Sequence, residues 1–307
     1  MRILSLASEL SPGHRKVCAA IGVFDGVHLG HQQVLRQTIS DSRQHDALAV
    51  AITFDKHPNA VVAPERVPPL IYPLSQKLRV IGELGFDAAL VIPFNKEFSQ
   101  LTGEQFVRGL ARDFGQIHSL CVGSTFTFGY KRGGNVSLLR ELGKELKFVA
   151  HGLAALALDG EVVSSTRIRE AIHAGDLEAA SQMLGRTYSF SGHVLKGDGI
   201  GRQLGFPTAN VDVTGLVLPP QGVFAARAIT KGRAYRAAVN IGVRPTLAQP
   251  QPGLRVEAHL LDFAGDLYGQ ELELVFVARL RGEMKFASLA DLSAQIARDV
   301  ALAREIF

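Results

Sequence analysis

Cysteine is scarce in this chain, with only Cys18 and Cys121 among 307 residues. Each sits in an apolar run that reads as a buried strand. Small buried hydrophobes in a reducing compartment account for them better than a disulfide or a metal site. Long apolar runs are missing as well. No stretch of about 18 apolar residues occurs, so no membrane-spanning helix and no membrane partner are expected. The opening Met1-Arg2-Ile3-Leu4 lacks the apolar stretch and small-residue cleavage site of a secretory leader, which points to a cytoplasmic protein. No internal repeat or low-complexity tract is evident. Lys and Arg form no dense stripe interleaved with aromatics. The formal net charge of +4 and pI near 9.1 suit phosphate-bearing ligands, and no nucleic-acid partner is expected.

The residues that are present describe two halves. Hydrophobic residues make up 47% and charged residues 20%, enough apolar mass for two cores. Up to about Leu184, apolar runs alternate with helix-like segments. Strands are expected at 17–24, 47–54, 88–92, 117–123 and 147–150. Helices are expected at 31–43, 76–84, 103–114, 136–142, 165–174 and 176–184. That alternation predicts a Rossmann-like α/β domain with a parallel sheet covered on both faces, over residues 1–185. Beyond Gly185 the pattern changes to short strand-like runs separated by Gly, Pro and Asn, near 188–195, 222–229, 235–241, 256–261 and 271–278. A small antiparallel β-barrel with a terminal helix near 289–305 is expected over residues 186–307.

The first half carries a phosphate-site constellation. In Gly22-Val23-Phe24-Asp25-Gly26-Val27-His28-Leu29-Gly30-His31, an apolar strand turns into a helix. Gly22, Gly26 and Gly30 permit tight turning and close approach to a ligand. The helix start supplies N–H donors and positive dipole for phosphate, and His28 and His31 can stabilise charge there. On its own the pair also fits a metal pair or two surface histidines. The full string resembles the H-x-G-H motif of the nucleotidyltransferase superfamily, in its flavin-adenylyltransferase branch. Downstream, Val163-Ser164-Ser165-Thr166-Arg167-Ile168-Arg169 resembles that superfamily's I-S-S-T-x-x-R segment. Alone it reads as an ordinary helix cap followed by a surface arginine. The resemblance implies ATP-binding roles for Gly22, Phe24, Gly26, His28, Gly30, His31, Ser164, Ser165, Thr166 and Arg169. In it, His28, His31 and Arg169 act in catalysis, Arg169 as a fork on the departing pyrophosphate. Thr53-Phe54-Asp55-Lys56-His57-Pro58 resembles a T-F-x-P-H-P flavin segment, with Lys56 in place of proline. Val122 to Gly129 resembles V-G-x-[DN]-F-x-F-G, with Thr125 in place of Asp or Asn. Flavin contacts are thereby implied for Phe54, His57, Pro58, Thr125, Phe126 and Phe128. Of Phe126 and Phe128, one is expected in the core and the other on a ligand wall.

The second half has its own dense string, Gly197-Asp198-Gly199-Ile200-Gly201-Arg202-Gln203-Leu204-Gly205-Phe206-Pro207-Thr208-Ala209-Asn210. Its glycines allow a loop that closes over phosphates. Thr208 and Asn210, spaced by one residue as on a strand, offer oxygen ligands suited to Mg²⁺. A glycine-rich hairpin is the plainer alternative. Leu204 to Asn210 resembles the P-T-A-N motif of riboflavin kinases. Asn240-Ile241-Gly242-Val243-Arg244-Pro245-Thr246, Val256 to Phe263 and Arg281 to Phe286 resemble three further runs of that family. The resemblance implies that Glu257 is the general base. It further implies that Gly197, Gly199, Gly201, Arg202, Thr208 and Asn210 bind ATP, and that Arg281 lies near the flavin. By spacing alone Glu257 is one alternating polar residue of a strand. Taken together the motifs are similar to those of the bifunctional bacterial riboflavin kinase/FMN adenylyltransferases. That family implies ATP as co-substrate, Mg²⁺ and the small molecules riboflavin, FMN and FAD. A monomer or weak homo-oligomer is expected.

Overall fold

The computed structural model describes residues 1–10, 13–197, 199–243 and 254–307. Asp198, Arg244, Pro245, Thr246 and the turn expected at 250–253 lie outside the described residues. The chain divides into two compact units, Met1–Arg167 and Ile168–Phe307.

In the first unit, β1 (Arg2–Leu4), β2 (Val17–Ile21), β3 (Leu48–Phe54), β4 (Ala88–Ile92), β5 (Ile117–Gly123) and β6 (Val149–Leu153) form one sheet. Their order is β1-β4-β3-β2-β5-β6, and every pairing is parallel. Helices α1 (Leu29–Gln44), α2 (Asn59–Val62), α3 (Leu74–Glu83), α4 (Lys96–Ser99), α5 (Gly103–Phe114) and α6 (Val136–Leu146) are the chain's connections between these strands. Every residue of β2 and β3 is buried, as expected of a parallel sheet whose faces are both covered. Leaving β2, the chain runs to β3 and β4 on one side, while β5 pairs on the other. The turn after β2 therefore sits at the topological switch point, where α/β sheets open a crevice at their strand ends. A short hairpin, β7 (Ala157–Leu158) and β8 (Glu161–Val162), precedes α7 (Ser165–Ala174) and α8 (Leu177–Leu184).

The second unit is a closed barrel in the order β10-β13-β12-β11-β14-β9. Its members are β9 (Ser189–Leu195), β10 (Ala209–Val211), β11 (Gly222–Thr230), β12 (Arg233–Val243), β13 (Leu254–Leu260) and β14 (Glu271–Arg281). All the pairings are antiparallel. Phe190, Phe224 and Phe276 pack as rings inside it, with centroids 5.3–5.4 Å apart around Phe276. The chain continues through α9 (Ile200–Gln203) into β10, and it ends in α10 (Leu289–Glu305).

Both expected fold classes are present; β1 and the β7–β8 hairpin are additions to the expected elements, and two further differences are local. The strand expected to run to Phe24 ends at Ile21, because Phe24 adopts φ 52° and leaves the extended region. The barrel has a sixth strand, β10, whose three residues are too few to show a period-two pattern in sequence.

One link from α10 to the barrel wall is a buried ion pair, beside the apolar contact of Ala303 with Ala225 and Ala238. Arg281 donates from Nε and Nη2 to the Asp299 carboxylate at 3.0 and 2.7 Å, and Gln295 adds a donor at 2.9 Å. Asp299 is 3% exposed. Breaking such a pair strands the remaining charge, so Asp299→Ala is expected to cost the second unit about 3 kcal/mol. A lowered denaturant midpoint of that unit is the measurement.

Candidate functional site

The turn between β2 and α1 is shaped by backbone that few residues tolerate. Phe24, Gly26 and Val27 all have positive φ, at 52°, 76° and 42°. At Gly26 a Cβ would come within 3.0 Å of the Ile71 side chain, so both conformation and space require glycine there. A Cβ on Gly22 would sit 2.7 Å from the Phe24 ring. Asp25, buried to 3% exposure, holds the turn. Its carboxylate accepts the amides of Ile71 at 3.0 Å and Tyr72 at 3.2 Å.

His28 caps α1, its Nδ1 accepting the amide of His31 at 3.3 Å. That bond makes Nδ1 the acceptor of the neutral ring and leaves the proton on Nε2. The His28 and His31 rings stack with centroids 3.6 Å apart, and Phe24 meets His31 edge-on at 5.4 Å. Two imidazoles thus lie together at the N-terminus of a 16-residue helix. There the helix dipole and the amides of the first turn favour an anion.

The distant Val163–Ser165 segment meets this turn. Ser165 Oγ donates to the carbonyl of Asp25 at 3.0 Å, and a Cβ on Gly30 would lie 3.8 Å from the carbonyl of Val163. Ser164 Oγ accepts the amide of Arg167 at 3.2 Å and so caps α7. Thr166 is exposed. Arg167 is tied to the β7–β8 hairpin, reaching the carbonyls of Leu158 and Glu161 and the Glu161 carboxylate. Arg169 is half-buried on α7, in the second compact unit.

The aromatic residues sort by burial. Phe54 is 6% exposed, edge-on to Phe94 at 5.4 Å and tilted against Phe98 at 6.0 Å, so its ring belongs to the core. Phe128 is core as well, whereas Phe126, stacked on it at 5.6 Å, is only partly buried. Thr125 is exposed and His57 and Pro58 are half-buried. His57 Nδ1 accepts the amide of Asn59 at 3.1 Å. Lys56 lies near Asp55 at 3.6 Å, on the exterior.

In the barrel, register assembles a row that sequence spacing does not show. Asn210 of β10 pairs with Glu257 of β13, and Glu257 pairs with Asn240 of β12. Directly paired residues share a face, so two carboxamides flank one carboxylate. The row lines a cavity of about 360 Å³ together with Gly199, Gly201, Thr208 and Arg281. Arg281 lines this cavity while its guanidinium remains committed to Asp299 and lies 5.9 Å from the Phe286 ring. A second cavity of about 280 Å³ is lined by Arg202 and Asp266, and Thr208 borders both cavities. A Cβ on Gly197 would fall 2.1 Å from Asn210 Nδ2, and one on Gly201 would fall 3.1 Å from Thr208 Oγ1. The glycines therefore form a cradle against the two candidate ligand side chains.

Another polar cluster lies away from both sites. Asp41 Oδ2 accepts from Ser119 Oγ at 2.8 Å and faces His151 Nε2 at 3.3 Å and Cys121 Sγ at 3.8 Å. Burial pushes the Cys121 thiol up to about 12. The hydroxyl and imidazole satisfy the carboxylate within the protein.

A mononucleotide-type α/β unit with paired histidines at a helix start, joined to a closed barrel with a carboxylate row, defines a two-site transferase. A family profile described as FAD synthetase matches residues 11–167, and one described as riboflavin kinase matches residues 184–307. The bifunctional riboflavin kinase/FMN adenylyltransferase of Escherichia coli (strain K12) is 36% identical over 311 residues, covering 100% of this chain and 98% of its own. The protein of that description from Pseudomonas fluorescens is 37% identical over 306 residues, with coverage of 100% and 98%. A solved structure described as a macrolide-efflux protein from Streptococcus pneumoniae matches with TM-score 0.81 and 25% identity over 98% of each chain. The chain belongs to the bifunctional riboflavin kinase/FMN adenylyltransferase family.

Asp25→Ala removes the acceptor of two buried amides. It is expected to destabilise the first unit by about 2 kcal/mol, measurable as a lower melting transition.

Proposed function

We propose that the two sites act in sequence, phosphorylating riboflavin to FMN in the barrel and adenylylating FMN to FAD in the α/β unit. The observation that carries this reading is the presence of both constellations in one chain: stacked His28 and His31 at the start of α1, and the Asn210–Glu257–Asn240 row. In the barrel, the riboflavin 5′-oxygen bonds to the γ-phosphorus of ATP, the bond to the β-phosphate oxygen breaks, and ADP leaves. Glu257 accepts the hydroxyl proton. The larger cavity, lined also by Phe206, Met284 and Phe286, has the apolar walls that a flavin ring needs. The neighbouring cavity at Arg202 would take ATP, with Thr208 at their junction. Gly199 and Gly201 line the larger cavity beside Thr208, and with Gly197 they would cover the phosphates at that junction. Thr208 and Asn210 offer a hydroxyl and a carboxamide oxygen beside the glycine cradle, a donor set that fits Mg²⁺. When bound, Mg²⁺ supplies charge neutralisation at the phosphates.

In the α/β unit, a phosphate oxygen of FMN bonds to the α-phosphorus of a second ATP and pyrophosphate departs. No covalent enzyme intermediate is required. His28, His31 and the first amides of α1 stabilise the charge, Ser164 caps the neighbouring helix start, Ser165 and Thr166 beside it contribute to ATP binding, and Arg169 holds the departing phosphates. Phe126, with His57, Pro58 and Thr125, forms the flavin side of this site. Phe54 supports it from the core. The adenylyltransferase is assigned to residues 1–185 and the kinase to residues 186–307. The enzyme is read as cytoplasmic, a monomer or weak homo-oligomer, with no membrane or nucleic-acid partner.

Purified protein incubated with riboflavin, ATP and Mg²⁺ is expected to yield FMN and then FAD on flavin chromatography. Neither product appearing would overturn the reading. His28→Ala is expected to stop FAD formation and spare FMN formation. Glu257→Ala is expected to do the reverse when FMN is supplied. Gly197→Ala, which drives a Cβ into Asn210, is expected to slow phosphorylation by about tenfold or more with adenylylation from supplied FMN unchanged.

A further inference from the structure

Lys77 of α3 is a buried cation that the two-step mechanism does not use. It is 7% exposed, and its Nζ donates to three oxygens: the carbonyl of Val23 at 3.2 Å, the hydroxyl of Thr53 at 3.0 Å and the carbonyl of Phe54 at 3.0 Å. An ammonium has three protons, so its donors are fully used. Val23 lies in the turn that leads to His28, and Thr53 and Phe54 end β3 and lead into His57 and Pro58. Thr53 Oγ1 also donates to the carbonyl of Val23 at 3.0 Å. Three elements thus meet at one charge.

The charge itself is costly here. Burial pushes Lys77 down to about 8, against the pull of Asp25 and Asp55, the carboxylates that face it. A chain that needed only filler at this point would do better with an apolar side chain. The geometry supplies the alternative: removing the cation unties the end of β3 from the turn after β2.

We propose that Lys77 is a positioning residue of the adenylyl-transfer site, fixing the ATP loop at Val23 to the flavin-facing segment that begins at Thr53 and Phe54. The inference rests on the reading of that site given above. Attack on the α-phosphorus demands close alignment of two substrates held by different segments, and a displacement of about 1 Å is enough to slow it a hundredfold. The phosphate-binding amides of α1 lie outside the Lys77 contacts. Loss of Lys77 therefore lowers kcat more than it raises KM for ATP. Asp25 and Asp55 bear on the same charge, and Lys77 is cationic below about 8 and neutral above it. Adenylyl transfer thus falls as pH rises through that range.

The test compares the full-length parental enzyme with Lys77→Met, using FMN and ATP for adenylyl transfer and riboflavin and ATP for phosphorylation. The expected result is a kcat for FAD formation at least tenfold lower, KM for ATP within threefold, loss of the alkaline limb, and FMN formation within twofold. A folded Lys77→Met enzyme with FAD formation within twofold of parental would overturn the inference. So would a rise in KM for ATP with kcat unchanged. If Lys77→Met loses the melting transition of the first unit, Lys77→Arg decides. A third or more of parental kcat supports positioning by the charge, and a folded Lys77→Arg enzyme below a tenth overturns it. Failure of the parental enzyme to make FAD would instead reject the underlying functional reading, and it is scored separately.

Discussion

The α/β site depends on one carboxylate that never reaches solvent. Asp25 turns its side chain inward to the amides of Ile71 and Tyr72 and offers its carbonyl to Ser165. Without those anchors a stretch with three positive φ values would relax toward ordinary extended or helical backbone. The strained turn sets where α1 begins, and α1 sets where His28 and His31 stack. A segment from the far end of the unit is brought in by the same residue. The candidate phosphate site is thus built mainly from backbone, with one buried acid as its fastening.

The barrel solves a different problem by register. Pairing register on three strands puts Asn210, Glu257 and Asn240 side by side. The glycine loop lies against one end of that row, at Asn210, while the acid sits between the two carboxamides. Closure of the sheet leaves β10 no free edge despite its three residues.

Much of this was legible in the sequence, and the exceptions have physical causes. Alternating apolar runs announced the parallel sheet, since β2 and β3 are buried along their whole length. The glycines at 22, 26 and 30 marked the turn, because backbone requirements leave a compositional trace. Asn240 was hidden, for its place beside Glu257 is a property of strand pairing rather than spacing. Lys77 was hidden too: one lysine in an amphipathic helix looks like a solvated side chain until the strand ends beside it are known. Phe54 carried the family's motif yet packs into the row of core rings with Phe94 and Phe98. A short motif fixes the residue's type, while the packing around it decides which way the ring faces.

The two cysteines acquire a meaning beyond scarcity. Cys121 is held at about 12 by burial, and burial raises Cys18 as well. Burial thus keeps the Cys121 thiol protonated at neutral pH, away from the thiolate form that peroxide attacks. Keeping its sulfur protonated and enclosed leaves such an oxidant little to react with.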